Sequence, residues 1–295
     1  MIQTVSPTAL LGKPTLLAMC LAISVGSVGG CRRTEPDAPA VATPSLSLER
    51  DRVAIGSPVK LTYKFQVAPD AKIDGDYLVF AHVLSPDGDQ MWTDDHVPPT
   101  PTSQWKPGQT IEYSRTVFVP NYPYVGEATI RLGLYQNEKR LVLDGADASR
   151  REYEVAKFQI LPQSENIFLV DRSGWHAAEV AADNPSAEWR WTERRAVTSF
   201  RNPKKDATFY LEYDARADLF TPPQQVTIKL GDQVVTTFAA ESKKTTLLTF
   251  PIAAAQFGTN DMVELALEVD RTFEPRGGDT RELGIRVFHT FIEPR

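Results

Sequence analysis

The stretch PVKLTYKFQV, Pro58 to Val67, decides the fold class. Val59, Leu61, Tyr63, Phe65 and Val67 recur at every second position, with Lys60, Thr62, Lys64 and Gln66 between them. Successive side chains of an extended strand point to opposite faces, so this segment reads as a strand with one face in a core and the other in water. A helix would scatter the same apolar set around its circumference.

Working outward, the same period continues. Asp76 to Leu84 (DYLVFAHVL), a short strand around Gln90-Met91-Trp92, Thr110 to Val119, Gly126 to Tyr135 and Tyr153 to Leu161 follow, with Asp87-Gly88 and Asn137-Glu138 as hairpin turns. About seven strands at this spacing predict an immunoglobulin-like sandwich over residues 46–163. The strand pattern stops at Gln163 to Asn166 and resumes at Ala207 to Asp214, Gln225 to Leu230, Gln233 to Ala239, Thr246 to Ile252, Met262 to Val269 and Gly284 to Ile292, with a helical turn around Ala253 to Phe257. Residues 164–295 therefore read as a second sandwich of jelly-roll, carbohydrate-binding type. The fold class expected is all-β, two consecutive antiparallel sandwiches.

The N-terminal end speaks to location. Lys13 precedes an apolar run, Pro14 to Gly30, that closes in small residues before Cys31, and no acid occurs before Glu35. Val28-Gly29-Gly30-Cys31 resembles a bacterial lipobox, which implies a signal peptide over residues 1–30 and lipidation, palmitate included, at Cys31. An ordinary signal peptide or a membrane-spanning anchor is the alternative, although a run of about 17 residues is at the short limit for a span. Arg32 to Ser45 carries three prolines and little to bury, so residues 31–45 read as the lipidated cysteine and a disordered tether with a reach of about 20 Å. Cys20 leaves with the signal, so the folded part holds no disulfide and must rest on apolar cores. Loss of Lys13 takes the formal net charge from −6 to −7, which argues against nucleic acid as a partner.

Motifs for chemistry are few. No nucleophile elbow, phosphate loop or dinucleotide fingerprint occurs, and His82, His96, His176 and His289 stand far apart without zinc spacing. Neither a catalytic residue nor a resident metal or cofactor is therefore expected. Asp87, Asp89, Asp94 and Asp95 supply oxygen donors without the spacing of a calcium loop, so they read as an ordinary solvated hairpin, with a structural calcium as the alternative.

Aromatic residues point further, since a sugar stacks its C–H face on an indole while its hydroxyls seek planar or charged partners. Trp92, Asp94, His96 and Trp105 surround the proline-rich loop at Pro98 to Pro101, with Tyr122 and Tyr124 nearby in sequence. Trp175, Trp189, Arg190 and Trp191 open the second domain, with Asp279 and Arg281 as candidate polar partners. Each tryptophan has core packing as its alternative role.

Two resemblances bear on this. WTDDHVPPTPTSQWKPG (Trp92 to Gly108), Val119-Pro120-Asn121-Tyr122-Pro123 and Gly133-Leu134-Tyr135 resemble sandwich domains of bacterial envelope proteins. Arg281 to Val287 (RELGIRV), after Asp279, is similar to the closing motif of lectin-like sandwiches appended to bacterial membrane glycosyltransferases and exopolysaccharide proteins. The resemblance implies a non-catalytic module near envelope glycans and carries over no catalytic residue. The expectation is thus an extracytoplasmic lipoprotein, held in the bilayer through Cys31, that binds exopolysaccharide or a protein of its assembly machinery. A scaffold recruiting another envelope protein is the alternative, and a glycoside-processing enzyme a third.

Overall fold

The computed structural model describes residues 38–295 apart from Tyr122, residues 164–166, residues 183–186, Ser242 and Arg276. The signal segment, Cys31 and the first part of the tether lie outside the described residues, as do residues 164–166 of the expected boundary.

Nine strands build the first sandwich: β1 (Ala42–Leu48), β2 (Arg52–Ala54), β3 (Pro58–Val67), β4 (Leu78–Leu84), β5 (Gln90–Thr93), β6 (Thr110–Phe118), β7 (Gly126–Gln136), β8 (Lys139–Arg140) and β9 (Tyr153–Leu161). One sheet has the order β1-β3-β6, the other β2-β9-β7-β4-β5 with β8 beside β7. The first edge strand is divided, with β1 antiparallel to β3 and β2 crossing to lie parallel to β9. This is an immunoglobulin-like arrangement. Tyr63 and Phe65 from β3, Val79 from β4, Ile130, Leu132 and Leu134 from β7 and Ile160 from β9 fill its core.

The tether ends earlier than composition suggests. Residues Ala42 to Ser45 belong to β1, where Ala42, Pro44 and Leu46 turn inward while Thr43, Ser45 and Ser47 face out. The period is two, but it is written in small side chains and proline, which an edge strand tolerates and which composition alone reads as linker.

Ten strands build the second sandwich: β10 (Val170–Asp171), β11 (Glu179–Val180), β12 (Glu188–Trp191), β13 (Arg195–Arg201), β14 (Ala207–Asp214), β15 (Gln225–Leu230), β16 (Gln233–Ala239), β17 (Thr246–Ile252), β18 (Met262–Val269) and β19 (Arg286–Pro294). Two five-stranded sheets, β10-β13-β18-β15-β16 and β11-β12-β19-β14-β17, face each other over Phe200, Phe209, Leu211, Ile228, Leu265, Ile285 and Ile292. The expected helical turn is a 3-10 turn at Ala254–Phe257.

Both cores lie in one compact unit, Ala38–Arg295. Phe118, at the end of β6, stacks on the imidazole of His289 at 4.7 Å and 11° and meets Tyr210 edge-on. Arg50 reaches Glu293 at 2.7 Å, so a small mixed contact joins the sandwiches.

Two motif glycines are explained by close approach. A Cβ on Gly133 would enter the Phe80 ring and come within 2.9 Å of the Arg151 carbonyl. One on Gly284 would strike the Thr192 hydroxyl and sit 2.9 Å from the Glu193 carbonyl.

Candidate functional site

The first nominated cluster forms a buried network. Asp94, which follows β5, accepts hydrogen bonds from Arg115 on β6 at both carboxylate oxygens, 2.8 Å each, and from the Tyr63 hydroxyl on β3 at 2.8 Å. His96 Nδ1 lies 2.8 Å from the Asp94 carbonyl oxygen, and Nε2 lies 2.8 Å from the Tyr113 hydroxyl. A carbonyl only accepts, so Nδ1 carries the proton and Nε2 accepts from Tyr113. Burial, then the Arg115 cation, pushes the His96 pKa below its ordinary value. Burial alone would raise the Asp94 pKa, but the Arg115 hydrogen bonds and charge outweigh it and leave the carboxyl below the ordinary range. Burial beside Asp94 pushes the Tyr63 hydroxyl up.

The tryptophans of this cluster are not part of the network. Trp105 is buried, tilted against Phe65 at 5.0 Å, and its indole N–H donates to the Thr100 carbonyl. Trp92 packs half-buried and edge-on against Phe158 at 6.2 Å. Among the described residues, no group of three or more His, Cys, Asp or Glu side chains lies close enough to share a metal ion.

The second cluster divides into three. Trp175, Trp189 and Arg190 line one groove of about 140 Å³ together with Asp171, Glu188, Val287, Phe288 and Thr290. Asp171 is on β10 of one sheet and Arg190 on β12 of the other, so their 2.9 Å ion pair bridges the seam at which the groove opens. The Trp175 indole is fixed by donation to the Val197 carbonyl at 3.0 Å. The Trp189 ring leans on Phe288, and its N–H, buried, has no acceptor among the described residues. Glu188 is exposed, with no ion-pair partner among the described residues.

Trp191 is buried and lies outside the groove, edge-on to Phe273 at 5.5 Å. The Arg286 guanidinium lies 4.9 Å from the Trp189 ring centre and 5.5 Å from that of Trp191, so both rings share a face, as strand spacing predicts. Asp214 holds Arg286 with both carboxylate oxygens. Asp279 and Arg281 form a separate loop brace. Arg281 forks onto Asp279 and sends Nη1 to Glu179 at 2.6 Å, and the guanidinium lowers the Asp279 pKa.

Asp171, Glu188 and Phe288 were not nominated from sequence. Asp171 lies on a two-residue strand with no visible period, whereas Phe288 follows directly on the closing motif.

No family model matches the chain, and no curated protein matches it. Among solved structures it is similar to a Bacteroides uniformis β-glucuronidase at TM-score 0.25 and 12% identity, over 83% of this chain and 30% of that one. The M60 catalytic domain of Clostridium perfringens ZmpB with its CBM51 domains gives TM-score 0.24 and 9% identity, over 81% and 34%. Salmonella alpha-2-macroglobulin reacted with methylamine gives 0.26 and 13%, over 86% and 15%. The chain spans about a third of these structures' length or less, and at these TM-scores the similarities identify neither a shared fold nor an activity.

Proposed function

We propose that the chain is a lipid-anchored, extracytoplasmic protein of the bacterial envelope whose second sandwich binds a glycan without converting it. The observation that carries the binding half is the convergence of Trp175, Trp189 and Arg190 on one groove with Asp171 and Glu188. Indole surface, a guanidinium and carboxylates are the groups that meet a sugar's C–H faces and hydroxyls. At about 140 Å³ the groove is smaller than an enclosing ligand site, which suits contact with one unit of a longer chain lying across it. Asp171 is committed to Arg190, whereas glycoside hydrolysis in its usual forms needs two facing carboxyl groups free to act. The anchored half rests on the lipobox-like end of the apolar run at Cys31.

A glycan array probed with Ala38–Arg295 tests the binding half. Retention on a defined set of glycans, weakened by Glu188→Gln and by Arg190→Gln, is the expected result. An array without retained spots, or retention indifferent to both variants, removes this groove as the site.

A further inference from the structure

We propose that a cavity on the first sandwich receives the headgroup of an anionic phospholipid in the membrane to which the chain is tethered, an inference that rests on the anchored reading of Cys31. The cavity measures about 570 Å³, within the range of small-molecule sites. Val41, Ala71, Leu141 and Val142 give it an apolar floor, while Lys72, Lys139, Arg140 and Arg151 stand against Asp70 and Asp74 at its rim. Lys139 is paired with Asp74 and Arg140 with Glu152 at 2.8 Å, so it is Lys72 that offers positive charge at the mouth, in a chain of net charge −6.

The pairings inside the rim sharpen this. Asp74 is occupied by Lys139 at 2.7 Å and by the Tyr77 hydroxyl at 2.6 Å, so it does not neutralise Lys72. Lys72 is exposed and has no ion-pair partner among the described residues. A cation with spare donors beside an apolar floor suits an amphipathic anion, with phosphate at the rim and glycerol and the first methylenes below.

Backbone strain marks the same place. Ser149, Arg150 and Arg151 have φ of 133°, 53° and 59°, three successive non-glycine residues in a region that L side chains rarely adopt. Such strain persists where surroundings enforce it, and it collects at ligand clamps. Here it sets Arg151 on the rim, donating to the Arg140 carbonyl.

Position supplies the occupant. Ala38 and Pro39 form part of the wall, and Ala38 stands seven residues after Cys31. Seven residues span at most about 24 Å, so the cavity cannot stand far from the leaflet that holds the anchor.

The test uses Ala38–Arg295, the compact unit that holds both cores and lacks the anchor, with vesicles of phosphatidylcholine alone or mixed with phosphatidylglycerol. Binding is expected only to the mixed vesicles. Lys72→Ala should weaken it about fivefold and Lys72→Glu about 25-fold, as befits one and two charges near an anionic surface. Ala71→Trp, which fills the floor without changing charge, should abolish it, and Lys60→Ala on the outer face of β3 should leave it unchanged. Equal losses from Lys60→Ala and Lys72→Ala, or undiminished binding by Ala71→Trp, would mean diffuse attraction and overturn the site. Where Ala71→Trp fails to fold, the two Lys72 variants decide alone. Competition by inorganic phosphate without any vesicle binding overturns the lipid assignment. So does failure of a form beginning at Arg32 to bind vesicles that the Ala38 form binds, since the chain's own residues 32–37 would then be the occupant. The anchor itself is tested apart, by whether Cys31→Ser leaves an unprocessed precursor, and that result does not move the vesicle assay.

Discussion

Arg115 and Asp94 face each other through two parallel contacts, Nε to Oδ2 and Nη2 to Oδ1, both 2.8 Å. Arg115 belongs to the β1-β3-β6 sheet, and Asp94 follows directly on β5, the last strand of the opposing sheet. The pair therefore closes one edge of the first sandwich, and Tyr63, His96 and Tyr113 surround it.

Asp94→Asn should destabilise the first sandwich by about 2–3 kcal/mol. Breaking a fully buried pair costs about 3–5 kcal/mol, and the Arg115 side chain, 38% exposed, recovers part of that through water. Urea unfolding followed by Trp92 and Trp105 fluorescence measures it, and an unchanged midpoint would show that the pair contributes nothing net.

The same network sets a pH dependence. His96 has a folded pKa below that of the unfolded chain, near 6.5, so the unfolded state takes up the proton first and stability falls as pH drops below about 6.5. Asp94 is likewise depressed, so its contribution is present above about pH 4 and is lost as pH falls further. Stability should be level from pH 8 to 7 and then decline, with a slope of at most about 1.4 kcal/mol per pH unit for His96. In His96→Gln the decline between pH 6.5 and 5 should flatten, as chemical denaturation at fixed pH steps would register. A slope unchanged in that variant assigns the effect to other groups.

Strand period was the legible part of this chain, and its failures are physical. β3, β9 and β14 to β18 carry the bounds that their alternation predicts, since in all of them but β16 one face of the strand is wetter than the other. β13 was missed because Ala196 to Phe200 is buried on both faces, leaving no polar partner set to reveal the period. The site was less legible. Asp94 and His96 were nominated as sugar partners, but Tyr63, Tyr113 and Arg115 come from strands 17 to 31 residues away, which spacing cannot bring together. Trp175, Trp189 and Arg190 did converge, while the wall at Asp171 became visible only once two sheets met.

Gly284→Ala should cost about 3 kcal/mol, at the upper end for an overpacked side chain, since the obstructing groups include the Glu193 and Thr192 carbonyls, whose backbone cannot rotate aside. Gly284 N–H also donates to Thr192 at 2.6 Å, so a shift of that strand breaks the contact that aligns the closing motif with β12. Gly133→Ala meets the Phe80 ring and one backbone oxygen, that of Arg151 at 2.9 Å, where Gly284→Ala meets two, and should cost less. Thermal unfolding of both variants ranks them, and the reverse order would mean that the segment at Thr192 yields more easily than the first core.

The last prediction separates the observed start of the first sandwich from the one that composition implies. A fragment of residues 46–162 omits Ala42 to Ser45 of β1 and the residues leading into it. With them go the pairing of Ala42 to Ser45 with β3, buried Val41 and Ala42, and three further backbone hydrogen bonds: Val41 to the Val142 carbonyl, Ala68 to the Val41 carbonyl and Asp144 to the Ala42 carbonyl, each 2.9 Å. Burial of a valine contributes about 1.5–3 kcal/mol and each hydrogen bond about 0.5–1.5, so the loss is about 3–7 kcal/mol. A domain of this size has only about 5–15 kcal/mol in total. The shorter fragment should therefore be largely unfolded or melt near ambient temperature, whereas residues 38–162 should unfold cooperatively in urea. Coincident midpoints for the two fragments would show that Ala42 to Ser45 pair with β3 without stabilising it, and that residues 38–45 behave as tether after all.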